Sequence, residues 1–431
     1  MTSALEQTGL AGASAAIGKE LGDAAWLASM RADAAAAAER LAWPVPHAER
    51  PWKYLDITNL KLDGYRPGLG APSKPGAAAL RERFAIGAGS TVGLLVQLNG
   101  ETVHSEAAEG LTLEDFSVGH EAVRKHLGKG VLPGSSKLTA LHYALLRGGV
   151  LVQVAANAEL KLPVRIVRSY EEGQQLAAPH TLIVTGANSR VSVIEDLRSS
   201  DDEIIVFPAV EVFPGPGSEV RYTTIHRWGA KTQVFVEQRA VTEQASAFIG
   251  LSVVTGRRVV KANQTSSMEG RGSSSELYGL FIGNDHQHID FSTLQDHVGP
   301  DTRSDLLYKS VLKDSSRTVY YGVTRVGLDA KNADANQENR NLLLSKLAKA
   351  DSDPVLEILT SNIIRCSHGA TAGPVDQEQL FYLQTRGLPL AAAEALLVTG
   401  YVAQVLDRVP DEQLREELFA VLEAKMGGLL T

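Results

Sequence analysis

A cysteine and the histidine two residues after it are the strongest candidates for chemistry in this sequence. Cys366 is the only cysteine in the 431-residue chain, and Ser367 separates it from His368. If the segment from Ile363 to His368 is extended, the Cys366 and His368 side chains project from one face about 7 Å apart. A thiolate and an imidazole suit iron or zinc, and they also suit a Cys–His nucleophile pair. A buried cysteine beside a hydrogen-bonded histidine is the structural alternative, and spacing alone leaves it open.

A second candidate site lies in the segment DHQHID at 285–290. On a strand, His286 and His288 share one face, Asp290 comes next along it, and His297 follows downstream. This spacing is compatible with a mononuclear metal site. Histidine pairs also occur on solvated strand faces without any ligand, so both interpretations stay open.

Other catalytic motifs are incomplete or absent. The glycine-containing run at 268–275 ends in Ser275, where the dinucleotide fingerprint requires a third glycine. No Walker A lysine motif is present, so any ATP hydrolysis behind the protein's work is expected from another polypeptide. A polysaccharide hydrolase or lyase is disfavoured, because the adjacent carboxylates at 195–196 and 201–202 point apart on a strand.

Composition excludes several classes of protein. The formal charge of -8, from 42 basic and 50 acidic residues, disfavours binding to nucleic acid. No run approaches the ~18 apolar residues of a membrane span, and the start MTSALEQTGL does not resemble a signal peptide. We therefore expect a cytoplasmic protein without a membrane partner. One cysteine excludes an internal disulfide framework and a four-thiolate metal site within a single chain.

The elements that must position these residues fall into three regions. Residues 1–82 favour helix until Pro44 and Pro46 interrupt it, and they end in a Gly/Pro-rich linker at 68–76. Trp52 and Tyr54 are expected to dock this arm on the main body. Residues 83–373 carry many short apolar or alternating runs with no helix-length pattern between them. They predict an all-β sandwich, barrel or stacked solenoid, and no strict internal repeat decides among the three.

Residues 374–431 return to the helical period. Asp376 begins a pattern typical of a capped helix start. A last helix is expected to open at Pro410 and to end at Gly427. Its apolar face is predicted at Leu414, Leu418, Val421 and Leu422.

Six segments carry a resemblance to a known family. They are WKY at 52–54, HQHID at 286–290, QENRNLLLS at 337–345, PVLEI at 354–358, CSHGAT at 366–371 and LFYLQTRG at 380–387. Together they resemble the SufB/SufD family of iron–sulfur cluster assembly proteins, and of its two types the chain is more similar to SufD. The SufB type carries a cluster-related cysteine just before the Pro354 segment, and ungapped matching places Ala348 there.

The resemblance implies a mainly β fold, a right-handed parallel β-helix core flanked by N-terminal and C-terminal α-helical regions. It implies a non-catalytic scaffold subunit of the SUF complex that supports cluster building and iron acquisition. Its partners would be SufB, through the β-helix core, and the ATPase SufC, through the C-terminal helices. A homodimer of the isolated chain is also allowed.

The resemblance also assigns a role to the first candidate site. Cys366 and His368 would contribute to an iron or cluster site shared at the partner interface. It implies no intrinsic cofactor, a transient iron–sulfur cluster in the complex, and room for a reduced flavin there, although no flavin motif is visible. The alternative from the residues alone is a free-standing metal-dependent enzyme that uses the His286/His288 strand face.

Overall fold

Two parallel β-sheets wound into a solenoid form the core of the protein. The computed structural model describes residues 4–46, 48–68, 75–255 and 258–430. The α-helices of these residues are α1 (Ala4–Leu21), α2 (Ala25–Arg40), α3 (Ala77–Arg83), α4 (Glu121–His126), α5 (Lys137–Ala144), α6 (Gln377–Thr385), α7 (Leu390–Leu406) and α8 (Glu412–Leu430). The strands are β1 (Arg66–Pro67), β2 (Gly93–Leu98), β3 (Glu101–Ala107), β4 (Leu111–Asp115), β5 (Gly149–Val154), β6 (Val164–Tyr170), β7 (Gln175–Ala177), β8 (His180–Thr185), β9 (Arg190–Ser199), β10 (Ile204–Val206), β11 (Ala209–Phe213), β12 (Glu219–Arg227), β13 (Gln233–Thr242), β14 (Ala247–Val254), β15 (Val259–Met268), β16 (Ser274–Gly283), β17 (His288–His297), β18 (Arg303–Leu312), β19 (Arg317–Val326), β20 (Ala333–Leu343), β21 (Lys349–Ile358) and β22 (Ile363–Pro374).

Successive strands of the core alternate between the two sheets, so that two strands make one turn. From β12 onward the even-numbered strands extend sheet II up to β22, and the odd-numbered strands extend sheet I up to β21. Neighbouring turns pair in parallel, and the chain advances 29 residues per turn from Val259 to His288 and again to Arg317. About eight such turns build the core. The mainly β class with a parallel β-helix core and helices at both ends is therefore confirmed, and the sandwich and barrel alternatives are wrong.

A residue with left-handed backbone conformation marks one corner of the solenoid in turn after turn. Its N–H donates to a carbonyl of the next turn, as from Asn188 to Pro216 (2.9 Å) and from Asp301 to Lys331 (2.8 Å). Asn, Asp and Gly tolerate this conformation better than other residues. The corner residues are Asn157, Asn188, Gly217, Ala245, Gly272, Asp301 and Asn332. Their spacing of 27 to 31 residues is the repeat that the apolar pattern did not reveal.

Helices cover the outer face of each sheet. The N-terminal helices pack on sheet I, where Ala34 of α2 and Leu141 of α5 join Leu182 of β8 in one apolar cluster. The C-terminal helices pack on sheet II, where Leu418 of α8 joins Leu280 of β16. Within the described chain, no helix is both long and apolar enough to cross a membrane.

The helical regions follow most of the sequence expectations. Asp376 caps α6 as expected, because its carboxylate accepts from two backbone amides of the first turn. The expected end at Gly427 is wrong, since α8 continues to Leu430. Most of the predicted linker, residues 69–74, lies outside the described residues. The division into domains at 1–82, 83–373 and 374–431 stays a prediction.

The two ends of the solenoid differ. At the N-terminal end, antiparallel strands close the ladders, because β3 pairs with β2 and β4 pairs with β5. At the C-terminal end, over the range that the structure describes, β21 pairs with β19 alone and β22 with β20 alone. We call β21 and β22 the open end, since their outer edges keep unpaired backbone donors and acceptors.

Candidate functional site

Cys366 and His368 lie on one face of β22, at the open end. The pairing of β20 with β22 shifts by one residue after Ala333, and Ala335 then pairs with Cys366 and Gln337 with His368. Ala335 and Gln337 are buried inside the solenoid. Register partners in a sheet share a face, so Cys366 and His368 face the mouth of the solenoid interior. The expected extended segment with both side chains on one face is confirmed.

Cys366 is partly buried, whereas His368 is exposed. The thiol packs against the small apolar cluster of Val326, Ala330 and Ala333. This burial raises the pKa of Cys366 above its ordinary value. The free thiol is therefore protonated at neutral pH and a weak nucleophile, while a metal ion would displace the proton and bind the thiolate. The environment favours a ligand role over a Cys–His nucleophile pair.

Ser367 points away from the site. Its hydroxyl donates to Asn336 Oδ1 at 2.9 Å, and Asn336 Nδ2 in turn donates to Asp305 Oδ1 at 3.0 Å. These contacts lie on the outer face of sheet II, opposite to Cys366 and His368. Ser367 is therefore a matched control position between the two candidate ligands.

The pair supplies two ligand atoms, Cys366 Sγ and one imidazole nitrogen of His368. Across the described ranges, no group of three or more His, Cys, Asp and Glu side chains could hold a metal ion. Structural zinc and iron–sulfur sites take four ligands per metal ion. A complete site would need further ligands beside Cys366 and His368, and the metal role of the pair stays a prediction.

The second predicted site is not assembled as expected. His288 begins β17, but His286 lies exposed in the preceding turn, which Asp285 forms with a φ of 52°. His288 Nε2 is 3.8 Å from Asp290 Oδ2, yet Asp290 Oδ1 is bound by Lys261 Nζ at 2.7 Å. The expectation that both histidines share a strand face is therefore wrong, because a solenoid corner separates them.

His297 is a buried histidine whose two ring nitrogens both have partners. Nδ1 lies 2.8 Å from Thr302 Oγ1, and Nε2 lies 2.8 Å from Ser304 Oγ. Burial lowers the pKa of His297 to about 4. The imidazole is thus neutral at physiological pH and part of the core rather than of a metal site.

Lys261 anchors the N-terminal arm, a role that no local sequence pattern indicates. Its ammonium donates to Pro51 O (2.6 Å), Asp290 Oδ1 (2.7 Å) and Ser292 Oγ (2.8 Å), and it lies 5.2 Å from the centre of the Trp52 ring. Trp52 is 6% exposed, which confirms the expected docking of this residue. The contact between Lys261 and Asp290 could not be predicted from the sequence, because the 29-residue repeat that stacks the two residues is not visible as a local pattern.

The same arm reaches the open end. The Arg317 guanidinium lies 4.4 Å from the centre of the Tyr54 ring, so Tyr54 also docks on the main body. Arg50 forms a two-pronged ion pair with Asp353 of β21, at 2.7 and 2.9 Å. The arm therefore braces the edge strand of sheet I from outside.

Among the described residues, two groups of apolar side chains near the C-terminal end of the solenoid stay exposed. The first surface consists of Ile364 in the open end and of Leu347 and Leu359 beside β21, which are between 58% and 70% exposed. The second surface, which we call the helix face, lies on α6 and α7 and is also at least half exposed. Its residues are Phe381, Tyr382, Leu390 and Leu396. Exposed apolar surface of this kind marks interaction sites in soluble proteins.

Comparison with known protein families agrees with this architecture. Residues 167–401 match the family model described as "SUF system FeS cluster assembly, SufBD core domain". The chain belongs to the SufBD family. The matched region runs from β6 into α7, so it contains the open end with Cys366 and His368 as well as the four residues of the helix face.

Individual relatives of the chain are SufB and SufD proteins of the same family. Iron-sulfur cluster assembly protein SufD of Bacillus subtilis (strain 168) is 30% identical over 311 residues, 71% of each chain. SufB of the same organism is 24% identical over 331 residues, 74% of this chain and 71% of that protein. SufD of Escherichia coli (strain K12) is 31% identical over 188 residues, 44% of each chain. The predicted family and the greater similarity to SufD are confirmed.

Proposed function

We propose that this chain is a non-catalytic scaffold subunit of the SUF complex in the cytoplasm. A SufB-type homologue docks on the open end, and the ATPase SufC docks on the helix face. Cys366 and His368 contribute to the site where a nascent iron–sulfur cluster, the cargo of the complex, is held between the two homologous subunits. The observation that carries the proposal is the position of both residues at the mouth of an unclosed solenoid.

The geometry of the open end suits a second solenoid. An edge strand presents a row of unpaired N–H and C=O groups that another strand can continue. Ile364 is 70% exposed next to this edge and Leu347 is 67% exposed, so a partner would bury apolar surface as well as complete the ladder. Paired strands in any sheet lie about 4.7–4.9 Å apart. A homologue built from parallel strands has this same spacing, so its own edge strands fit the edge of this chain.

A shared site agrees with the number of ligands. Cys366 and His368 offer one soft thiolate and one borderline imidazole, a combination that suits iron. A homologous subunit placed against the open end would bring its own residues to the same mouth. The two subunits together would then complete a site that neither holds alone.

The helix face is connected to the sheet that carries Cys366. The opposite side of α7 packs on sheet II through Val398 and Val402. Lys309 of β18 donates to Tyr401 O of α7 at 2.9 Å. Movement of α6 and α7 by an attached ATPase would therefore be transmitted to sheet II, whose last strand is β22. The absence of a Walker A motif in the sequence fits ATP hydrolysis by the partner.

Charge substitutions at the two surfaces test the two docking assignments separately. The chain is co-expressed with SufB and SufC homologues, and complexes are analysed by affinity co-purification and light scattering. Ile364→Asp is expected to lose the SufB homologue, and Phe381→Asp is expected to lose SufC alone. Val118→Asp, at a 63% exposed apolar residue near the N-terminal end of the solenoid, is the matched control and should retain both. Retention of both partners by Ile364→Asp and Phe381→Asp would contradict the proposed surfaces.

A further inference from the structure

A basic cleft lies between α8, the outer face of sheet II and the loop that follows α3. Its volume is about 660 Å³, and four guanidinium groups line it. They belong to Arg83, Arg165, Arg198 and Arg227. Small-molecule sites in proteins fall in the range of about 300–1,000 Å³, so the cleft has the size of a binding site.

Glu417 of α8 is the carboxylate that bridges two arginines of this cleft. Arg165 donates to both of its carboxylate oxygens, and Arg227 Nη2 donates to Oε1 at 2.7 Å. Arg198 is fixed from below by the fully buried Asp196, at 2.9 and 2.6 Å. Glu417 is 29% exposed, so water and solutes reach the carboxylate that bridges two arginines.

The charge balance of the cleft depends on Glu417. The carboxylates at or beside the cleft are Asp196, Glu417, Asp411 and Glu171, and the last of these pairs with Arg83. With four arginines the cluster is neutral while Glu417 is in place, and it carries one net positive charge when Glu417 withdraws. Each guanidinium has five N–H donors, so several remain unused after these pairings.

The opposite wall offers donors without partners. The loop at 85–91 has the sequence AIGAGST, and the backbone amides of Gly87, Ala88 and Gly89 donate to no group within the described chain. The buried Thr91 hydroxyl also lacks a hydrogen-bond partner there. Successive free amides in a turn form a concavity that binds phosphoryl oxygens, and arginine pairs bidentately with phosphate.

We propose that this cleft binds a small phosphoryl-bearing anion, of the pyrophosphate or nucleoside diphosphate class, which replaces Glu417 on Arg165 and Arg227. Such an anion carries at least two charges, which it needs to compete with a carboxylate that is already tethered on α8. The apolar wall of α8, formed by Ala420, Val421 and Ala424, faces the same space and would contact an organic group attached to the phosphate. Binding would remove an ionic contact that holds α8 on sheet II.

Titration calorimetry of the full chain with pyrophosphate, at 20 and 150 mM salt, tests this site. We expect saturable binding to one site. Glu417→Gln is expected to bind at least tenfold more tightly, because the variant removes the internal competitor. Arg227→Gln is expected to bind at least tenfold more weakly, and Arg271→Gln, at an exposed arginine outside the cleft, is the matched control.

Thr91→Val keeps every charge and removes a hydroxyl that has no hydrogen-bond partner in the described chain. Weaker binding by this variant would assign the loop to the site even if Arg227→Gln is poorly folded. Weaker protection of the α8 backbone amides from hydrogen exchange in the presence of pyrophosphate would show that Glu417 has been displaced. Absence of saturable binding by both wild type and Glu417→Gln would overturn the proposal. Equal losses in Arg271→Gln and Arg227→Gln would also overturn it, since they would show non-specific charge attraction.

Discussion

Two buried histidines make the stability of the solenoid depend on pH. His226 lies in the interior, where its Nδ1 accepts the Trp228 indole N–H at 2.9 Å, and burial lowers its pKa to about 4. His297 has the same lowered pKa of about 4, again mainly through burial. Both imidazoles are therefore neutral in the folded protein and must gain a proton when the chain unfolds in weak acid.

The sign and size of the effect follow from the two pKa values. The pKa of a histidine in the unfolded chain is about 6.5, above the folded value, so the stabilising contribution of each neutral imidazole is full above pH 6.5 and is lost as the pH falls below it. With a folded pKa of about 4, each of the two histidines lowers the protein's free energy of unfolding by about 2 kcal/mol between pH 7 and pH 5. The two together lose about 4 kcal/mol over this interval.

Urea unfolding followed by circular dichroism at pH 7, 6 and 5 measures this loss. His226→Gln and His297→Gln will be less stable at pH 7, but each should show a pH dependence smaller than wild type by about 2 kcal/mol. His286→Gln, at the exposed histidine in the turn before β17, is the control and should keep the wild-type dependence. Equal unfolding free energies at pH 7 and pH 5, or an unchanged slope in both core variants, would refute the assignment of neutral buried histidines.

Three further perturbations test other contacts. Lys261→Met leaves Asp290 buried without its cation, so we expect a loss of about 3–5 kcal/mol in unfolding free energy and faster tryptic cleavage after Lys53 as the arm detaches; unchanged cleavage would contradict the anchoring role. Leu418→Ala removes a fully buried side chain between α8 and sheet II and should cost about 2–5 kcal/mol in urea unfolding, while the half-exposed Leu396→Ala should cost little. Because burial raises the pKa of Cys366, its alkylation by iodoacetamide at pH 7.5 should be slower than that of glutathione, and a faster rate would contradict the described environment.

Local patterns predicted the terminal helices, the strand-rich core and the family, but they missed α4 and α5 within the core region. Asp376 caps α6, and Leu418 and Leu422 of α8 are buried as the helical period indicates, because caps and amphipathic faces depend on residues within a few positions. Alternation also predicted that Cys366 and His368 share a strand face. These features are encoded within single elements, and so they could be identified without knowing how the turns stack.

Features that depend on stacking were not predictable from local pattern. The solenoid repeat is carried by left-handed corner residues, which include an alanine, Ala245, as well as Asn, Asp and Gly. His286 lies outside β17 because the corner at Asp285 begins the strand later than alternation suggests. The Lys261–Asp290 pair joins residues 29 positions apart, and no helix or strand period links them.

We propose Cys366 and His368 as ligands of a site shared with a homologous subunit. The most direct measurement is the iron content and cluster absorbance of complexes purified anaerobically through a tag on this chain, comparing wild type with Cys366→Ala, His368→Ala and the control Ser367→Ala. We expect all four complexes to retain both partners and only the Cys366 and His368 variants to lose cluster and iron. A partner-free chain that keeps stoichiometric metal in both of those variants would contradict it and would favour a free-standing metal protein.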